Sequence, residues 1–118
     1  MLKKSLLVAL ILVSMFAKAQ ENHLKFLVGT YTNACKSDGI YVYDFDLKTG
    51  NSSLYNHTEG IVNPSFLSLS SDSKIVYAVN ESGSESTVSS FKYNNASGSL
   101  TAINKQAAEG KDPCHIIN

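Results

Sequence analysis

The sequence predicts an all-β fold, and within that class a β-propeller, from a repeat and from the strands and turns inside it. Residues 25–28 recur at 74–77 and residues 63–66 recur at 112–115, while the segment that begins at Ile40 recurs from Val88. Periods of roughly 40 to 50 residues built from short strands are typical of propeller blades. The chain is therefore predicted to hold two blades and the start of a third.

The first nineteen residues are predicted to be a signal peptide that precedes the propeller. Lys3 and Lys4 form a basic start, residues 5–17 are almost entirely apolar, and Ala17 and Ala19 are small residues suited to a cleavage site. The apolar run is shorter than the roughly 20 residues that span a bilayer. We expect the mature protein to be secreted or periplasmic and not to be a membrane protein.

Charge and composition exclude several classes of partner. Without residues 1–19 the chain keeps seven lysines, no arginine and ten carboxylates, a net charge of −3. This balance argues against binding to nucleic acid, which favours a face rich in Lys and Arg. It also offers no basic patch for anionic lipid. No Cys, His and acid spacing indicates a metal, so neither a metal nor a cofactor is predicted.

Strand signals dominate the sequence after residue 19. Four segments rich in β-branched and aromatic residues are predicted strands: 24–31, 39–46, 75–80 and 87–93. Residues 40–43 and 75–79 are continuously apolar, which favours sheets buried on both faces. Gly50 and Gly98 stand where a hairpin needs positive φ.

The order of the strands predicts which loops lie together. In the second blade, strands A to D run from the central channel outward: 66–69, 75–80, 87–93 and 100–105. Because neighbouring strands alternate in direction, the B–C loops and the D–A connections fall on one face of the ring. We call this face the mouth; it comprises residues 33–38, 59–64, 80–86 and 109–113. Such a loop cluster is the default ligand site of the fold.

Three sets of motifs resemble a known family. They are Val-Gly-Thr-Tyr-Thr at 28–32 with Gly-Ile-Tyr-Val-Tyr at 39–43 and Thr-Gly at 49–50, Asn-Pro-Ser-Phe-Leu at 63–67 with Tyr-Ala-Val-Asn-Glu at 77–81, and Gly110 with Pro-Cys-His-Ile at 113–116. Together they resemble the lactonase-type seven-bladed propellers, the 6-phosphogluconolactonase family, over residues 24–117.

The resemblance implies a hydrolase of carbohydrate metabolism that opens a small-molecule sugar lactone. Seven blades at this period need on the order of 340 residues. Residues 20–118 are thus expected to be the N-terminal part of a longer propeller, with blades one and two and the start of blade three. Such a fragment lacks its remaining blades, which are its expected partners, and is expected to be inactive.

Candidate site residues follow from the chemistry and from the mouth. Lactone hydrolysis needs an activated water, a donor for the oxyanion and an acid for the leaving alkoxide. His115 and Glu81 are the predicted catalytic residues, since imidazole titrates near neutral pH and a carboxylate can serve as a base. Asn80, Ser65 and Asn33 are predicted to bind substrate. For His115 and Glu81 a purely structural role, bonding or capping a neighbouring loop, stays open.

The two cysteines invite a disulfide because their number is even and the chain is predicted to be exported. Cys35 and Cys114 belong to blades that are not adjacent, whereas a bridge needs Cα atoms within about 7 Å. We expect no bridge between them. Cys114 and His115 are adjacent in a predicted strand, where neighbouring side chains point to opposite faces. They are not expected to act as a nucleophile and base pair.

Two alternatives to hydrolysis remain open. The first is a binding or scaffold propeller without catalysis, because propellers host many unrelated functions. The second is a muconate-type enzyme that closes a lactone ring.

Overall fold

The computed structural model describes residues 22–118, so the predicted signal peptide lies outside the described residues. Seven strands form: β1 His23–Gly29, β2 Gly39–Asp46, β3 Ser52–Glu59, β4 Pro64–Leu69, β5 Ile75–Asn80, β6 Thr87–Asn94 and β7 Ser99–Ala107. A 3-10 turn at Gly83–Glu85 is the single helical element over 22–118. Within the same range, no helix has the length and apolarity to cross a membrane. The all-β prediction is confirmed.

The strands form two antiparallel sheets that meander in sequence order. The first has the order β1-β2-β3 and the second β4-β5-β6-β7. Strands β4 to β7 agree with the predicted strands A to D of blade two. By the repeat, β1 corresponds to β5, β2 to β6 and β3 to β7. The first sheet therefore contains strands B to D of blade one, and strand β4 has no counterpart before β1 in the described chain.

The hydrophobic core lies between the two sheets. Ile40 and Val42 of β2 are fully buried and belong to one cluster with Val76, Ala78, Phe91 and Tyr93 of the second sheet. Removing a side chain such as Ile40 from water contributes roughly 1.5–3 kcal/mol.

The opposite face of β2 is only partly buried. Tyr41 and Tyr43 are half-buried, and the ring of Tyr43 stacks on Phe26 with centroids 5.3 Å apart. Residues 40–43 are predicted to be buried on both faces of the sheet. Only one face is fully buried, because the second sheet covers one side of the first.

Hydrogen bonds draw the predicted mouth loops together. The Oδ1 atom of Asn63, in the connection before β4, accepts the backbone N–H groups of Thr32 and Asn33 at 2.8 and 3.0 Å. In the next repeat, the Oδ1 atom of Asp112 accepts the N–H of Gly83 at 2.6 Å. Each D–A connection is therefore bound to a B–C loop, as the strand order predicts.

Candidate functional site

A β-bulge at the start of β4 brings a hydroxyl and a carboxylate together at the mouth. Strands β4 and β5 are antiparallel, with Pro64 opposite Asn80 and Phe66 opposite Val79, so Ser65 is the extra residue of a bulge. A bulge re-aims the side chain that it displaces. The Ser65 Oγ donates a hydrogen bond to Oε1 of Glu81, the residue that follows β5. Local pairing of β4 with β5 thus unites two of the predicted site residues.

Tyr31 joins this pair from the first sheet. It lies just after β1, and its side chain is 52% exposed. A hydrogen bond to Glu81 raises the pKa of the Tyr31 hydroxyl above its ordinary value, and partial desolvation and the negative charge of Glu81 add to this. We name these three residues the Tyr31–Ser65–Glu81 cluster. Because its pKa is raised, the tyrosine hydroxyl stays protonated over the neutral pH range and donates a hydrogen bond to Glu81.

Tyr31 is not among the site residues predicted from the sequence. It sits inside the motif at 28–32, next to the predicted B–C loop of blade one. Its contact with Glu81 crosses from one sheet to the other. Its position at the mouth end of a strand could have indicated a site residue. Its contact with Glu81, however, depends on how the two sheets lie against each other.

His115 and its neighbour Cys114 have different surroundings. The His115 ring meets Phe66 edge-on, with ring centroids 4.7 Å apart and an interplanar angle of 62°. Cys114 lies near the Tyr31–Ser65–Glu81 cluster, where its charge helps to raise the pKa of Tyr31. Both Cys114 and the distant Cys35 are free and exposed. Cys114 and His115 therefore contact separate groups.

Two predicted substrate-binding residues have roles in the loops. Asn80 is 4% exposed; its Nδ2 donates to the Val62 carbonyl at 3.0 Å and its Oδ1 accepts from Ser89 Oγ at 2.7 Å. It lines a cleft of about 460 Å³ between the two sheets. Asn33 is exposed at the mouth, and its backbone N–H donates to Asn63. Substrate contact by either residue stays a prediction.

A second polar cluster lies at the mouth end of β3, the outer strand of the first sheet. The Nε2 atom of His57 is 3.1 Å from Glu59 Oε1 and 3.9 Å from Asp38 Oδ2, and all three side chains are exposed. The pairing of Gly39 with Glu59 sets Asp38 beside the end of β3. Imidazole with carboxylates has the composition of a three-ligand cation site. The sequence does not predict this grouping, because the spacing of the three residues is not typical of a metal site.

Comparison with known proteins agrees with the fold and the motifs. The family model described as "Lactonase, 7-bladed beta-propeller" matches residues 25–118. A 6-phosphogluconolactonase of Formosa agariphila is 37% identical over 91 residues, which cover 75% of this chain and 26% of that protein.

Solved structures show the same likeness. A candidate 6-phosphogluconolactonase from Bacteroides fragilis matches with a TM-score of 0.75 and 40% identity, over 82% of this chain and 27% of that one. A periplasmic gluconolactonase from Pseudomonas aeruginosa matches with a TM-score of 0.71 and 28% identity, over 77% and 26% of the respective chains.

The chain thus spans about a quarter of the length of the relatives that it matches. In this chain, the family-model match covers β2 to β7, β1 from residue 25 onward, and all the mouth loops described above. The chain belongs to the lactonase family of seven-bladed β-propellers.

Proposed function

We propose that the protein hydrolyses the ester bond of a sugar lactone, in the manner named for its 6-phosphogluconolactonase relatives. The observation that carries the proposal is the Tyr31–Ser65–Glu81 cluster, an accessible carboxylate held by two hydroxyls at the mouth. Sugar lactones are small polar rings, and opening one requires a water molecule to be deprotonated as it attacks the carbonyl carbon. A carboxylate that is oriented by a hydrogen bond and only partly buried is suited to that step.

Glu81 acts as the general base in this proposal. It accepts a proton from the attacking water, while the hydrogen bond from Ser65 fixes the direction of its carboxylate. The water oxygen bonds to the carbonyl carbon, the ring C–O bond then breaks, and the leaving alkoxide takes a proton. His115 supplies that proton, since its exposed ring is held at the mouth by Phe66. The product is the open hydroxy acid. Glu81 is left protonated and His115 deprotonated, and proton exchange with water returns both side chains to their starting forms.

Contacts with the sugar are assigned to the polar groups on the exposed side of the mouth. Ser65 and the side chain of Asn33 are proposed to bind substrate hydroxyls. Asn80 serves the site from behind, because its amide holds the Val62 carbonyl and so shapes the connection that leads to Ser65. The remaining donors for the oxyanion are proposed to come from other blades.

The same proposal extends to organisation and location. Residues 20–118 contribute blades one and two and the start of the third blade of a seven-bladed ring. Residues 1–19 direct the protein to the periplasm or out of the cell, which is supported by the periplasmic gluconolactonase among its structural relatives.

Activity of the whole protein on gluconolactone, with and without a 6-phosphate, tests the proposal. Because both lactones open in water unaided, the rate should be followed by NMR against an enzyme-free control. Glu81→Gln keeps the shape of the side chain but removes the base, and should lower kcat by about 10²- to 10⁴-fold. The matched control is Glu85→Gln, a change of an exposed carboxylate in the same B–C loop, which should leave kcat within about twofold.

Two results would contradict the proposal. One is a wild-type rate equal to the spontaneous rate on both lactones, which would favour a binding propeller. The other is full activity of the Glu81→Gln variant, which would move the base to another residue.

A further inference from the structure

Two residues one repeat apart share an unusual backbone conformation. Asn63 and Asp112 each precede a proline, and their φ angles are 40° and 42°. A left-handed φ is uncommon outside glycine and persists where surrounding contacts enforce it. The recurrence of the same conformation in both repeats points to a shared task.

The shared task is to hold the preceding B–C loop. The backbone N–H of Asn63 donates to Thr32 Oγ1 at 3.0 Å, and that of Asp112 donates to Ser86 Oγ at 3.1 Å. Each side-chain Oδ1 also accepts a backbone N–H of the loop, from Thr32 at 2.8 Å and from Gly83 at 2.6 Å respectively. An oxygen at this position is enough for all of these contacts.

Asn63 has a second function that a carboxylate cannot perform. Its Nδ2 donates to the backbone carbonyl of Glu81 at 2.7 Å, and its own carbonyl accepts the Glu81 N–H at 3.2 Å. Asn63 is only 7% exposed, so water does not readily replace a lost partner. One side chain thus binds the loop that follows Tyr31 and the backbone of Glu81 at once.

We propose that Asn63 is a positioning residue that fixes Glu81 relative to Tyr31 across the boundary between the two blades. The inference rests on the proposed lactone hydrolysis for its kinetic consequence, but its structural part does not. Misplacement of a reacting group by about 1 Å can cost on the order of 100-fold in rate. The amide of Asn63, which accepts from the Thr32 N–H and donates to the Glu81 carbonyl, is therefore the group expected to hold Glu81 in place.

The test uses two isosteric substitutions in the whole protein. Asn63→Asp keeps the acceptor for Thr32 and Asn33 but places a carboxylate oxygen against the Glu81 carbonyl. Asp112→Asn, its mirror image, keeps the acceptor for Gly83. We expect Asn63→Asp to lower kcat by about 10- to 100-fold with KM changed less than about threefold. Asp112→Asn should stay within about threefold of wild type in both constants.

A double-mutant cycle separates positioning from loss of structure. If Asn63 acts through Glu81, adding Asn63→Asp to Glu81→Gln should cause little further loss of kcat. Additive losses would overturn the proposal, as would wild-type kinetics for Asn63→Asp. Circular dichroism and the unfolding midpoint identify a variant that fails to fold, in which case Asn63→Ser, a smaller side chain that retains one hydroxyl donor, takes its place in the cycle with the same expected outcome.

A readout without substrate distinguishes failure of this proposal from failure of the proposed function. The Tyr31 hydroxyl reports its contact with Glu81 through its titration, which NMR of ring-labelled tyrosine can follow, with Tyr31→Phe for assignment. This readout uses Asn63→Ser, which adds no charge beside Tyr31. Asn63→Ser should lower the pKa of Tyr31 toward its ordinary value, because the hydrogen bond to Glu81 is the main cause of the raised pKa. An unchanged titration in Asn63→Ser would overturn the positioning role even if no lactone were hydrolysed.

Discussion

The two sheets repeat one strand meander but use equivalent positions for different purposes. Glu81, after β5, corresponds to Thr32 after β1, and Asn80 corresponds to Tyr31. Thr32 is tied into the loop by its hydroxyl, which contacts Ile61 O and Asn63, whereas Glu81 directs a carboxylate to the mouth. Conversely, Asn80 is buried and Tyr31 is exposed. The two copies thus share their backbone placement, whereas both of these positions differ and each copy supplies one residue to the Tyr31–Ser65–Glu81 cluster from this pair of positions.

Substitutions at equivalent core positions are expected to give the largest difference in stability between the two sheets. Ile40 of β2 and Val88 of β6 are equivalent, but Ile40 is fully buried between the sheets while Val88 is only half-buried. Ile40→Ala should lower the free energy of unfolding by about 2–5 kcal/mol because a cavity is left behind. Val88→Ala should cost about 1 kcal/mol. Urea titration of both variants measures the difference, and equal losses would contradict a core that contains Ile40 and leaves Val88 at its edge.

The hairpin glycines give a smaller effect. Gly50 and Gly98 are equivalent and have φ angles of 73° and 71°, so alanine strains both by about 1–2 kcal/mol. A Cβ at Gly98 would also lie 2.7 Å from Tyr55 Cδ1, whereas one at Gly50 meets nothing within 4 Å. Gly98→Ala should therefore have a lower midpoint of thermal unfolding than Gly50→Ala. The reverse order would mean that the Tyr55 ring yields freely.

The smallest expected effect concerns pH and the turns after β2 and β6. Asp46 and Asn94 are equivalent, and each side-chain Oδ1 accepts two backbone N–H groups of its turn. Hydrogen bonds from Lys48 N–H and the Thr49 hydroxyl lower the pKa of Asp46. Its stabilising effect is thus present above the unfolded pKa near 4 and is lost as the pH falls through the lower folded pKa.

Asp46→Asn makes the first turn resemble the second. The variant should lose the part of the acid-induced destabilisation that Asp46 contributes. It should also be slightly less stable than wild type at pH 7, because the amide oxygen accepts the same N–H groups but the charge and the acceptor for the Thr49 hydroxyl are lost. Unfolding midpoints at pH 3 and pH 7 measure this. An unchanged pH dependence in Asp46→Asn would show that the turn carboxylate plays no part.

Much of the fold was predictable because strands and turns are local and repeat. The continuous apolar run at 75–79, the glycine at each hairpin and the 49-residue spacing of Asn63 and Asp112 predict the second sheet and the grouping of its loops. The pairing of β4 with β5 then brings Glu81 beside Ser65. The nearness of the two residues requires only alternation of strand direction, whereas the bulge that aims Ser65 at Glu81 was not predicted.

The rest of the candidate site depends on details that sequence patterns do not carry. Tyr31 reaches Glu81 across two sheets, and Asn63 can bridge them because its φ is positive. The Asp38, His57 and Glu59 group depends on the register of β2 with β3, which shifts at a bulge between Val42 and Tyr43. The Asn80 side chain points inward, where its amide donates a hydrogen bond to the Val62 carbonyl. Irregular backbone, not composition, decides these contacts.

Because of the bulge at Ser65, the contact of β4 with Glu81 depends on the number of residues at the start of the strand as well as on their identity. Ser65 is the extra residue between Pro64 and Phe66, whose partners Asn80 and Val79 are consecutive in β5. Deleting Ser65 would restore an unbroken ladder with β5 and at the same time withdraw the hydroxyl from Glu81. In relatives of this chain, a single-residue deletion at the start of this strand would therefore mark a propeller that has kept its scaffold and given up this constellation of polar groups.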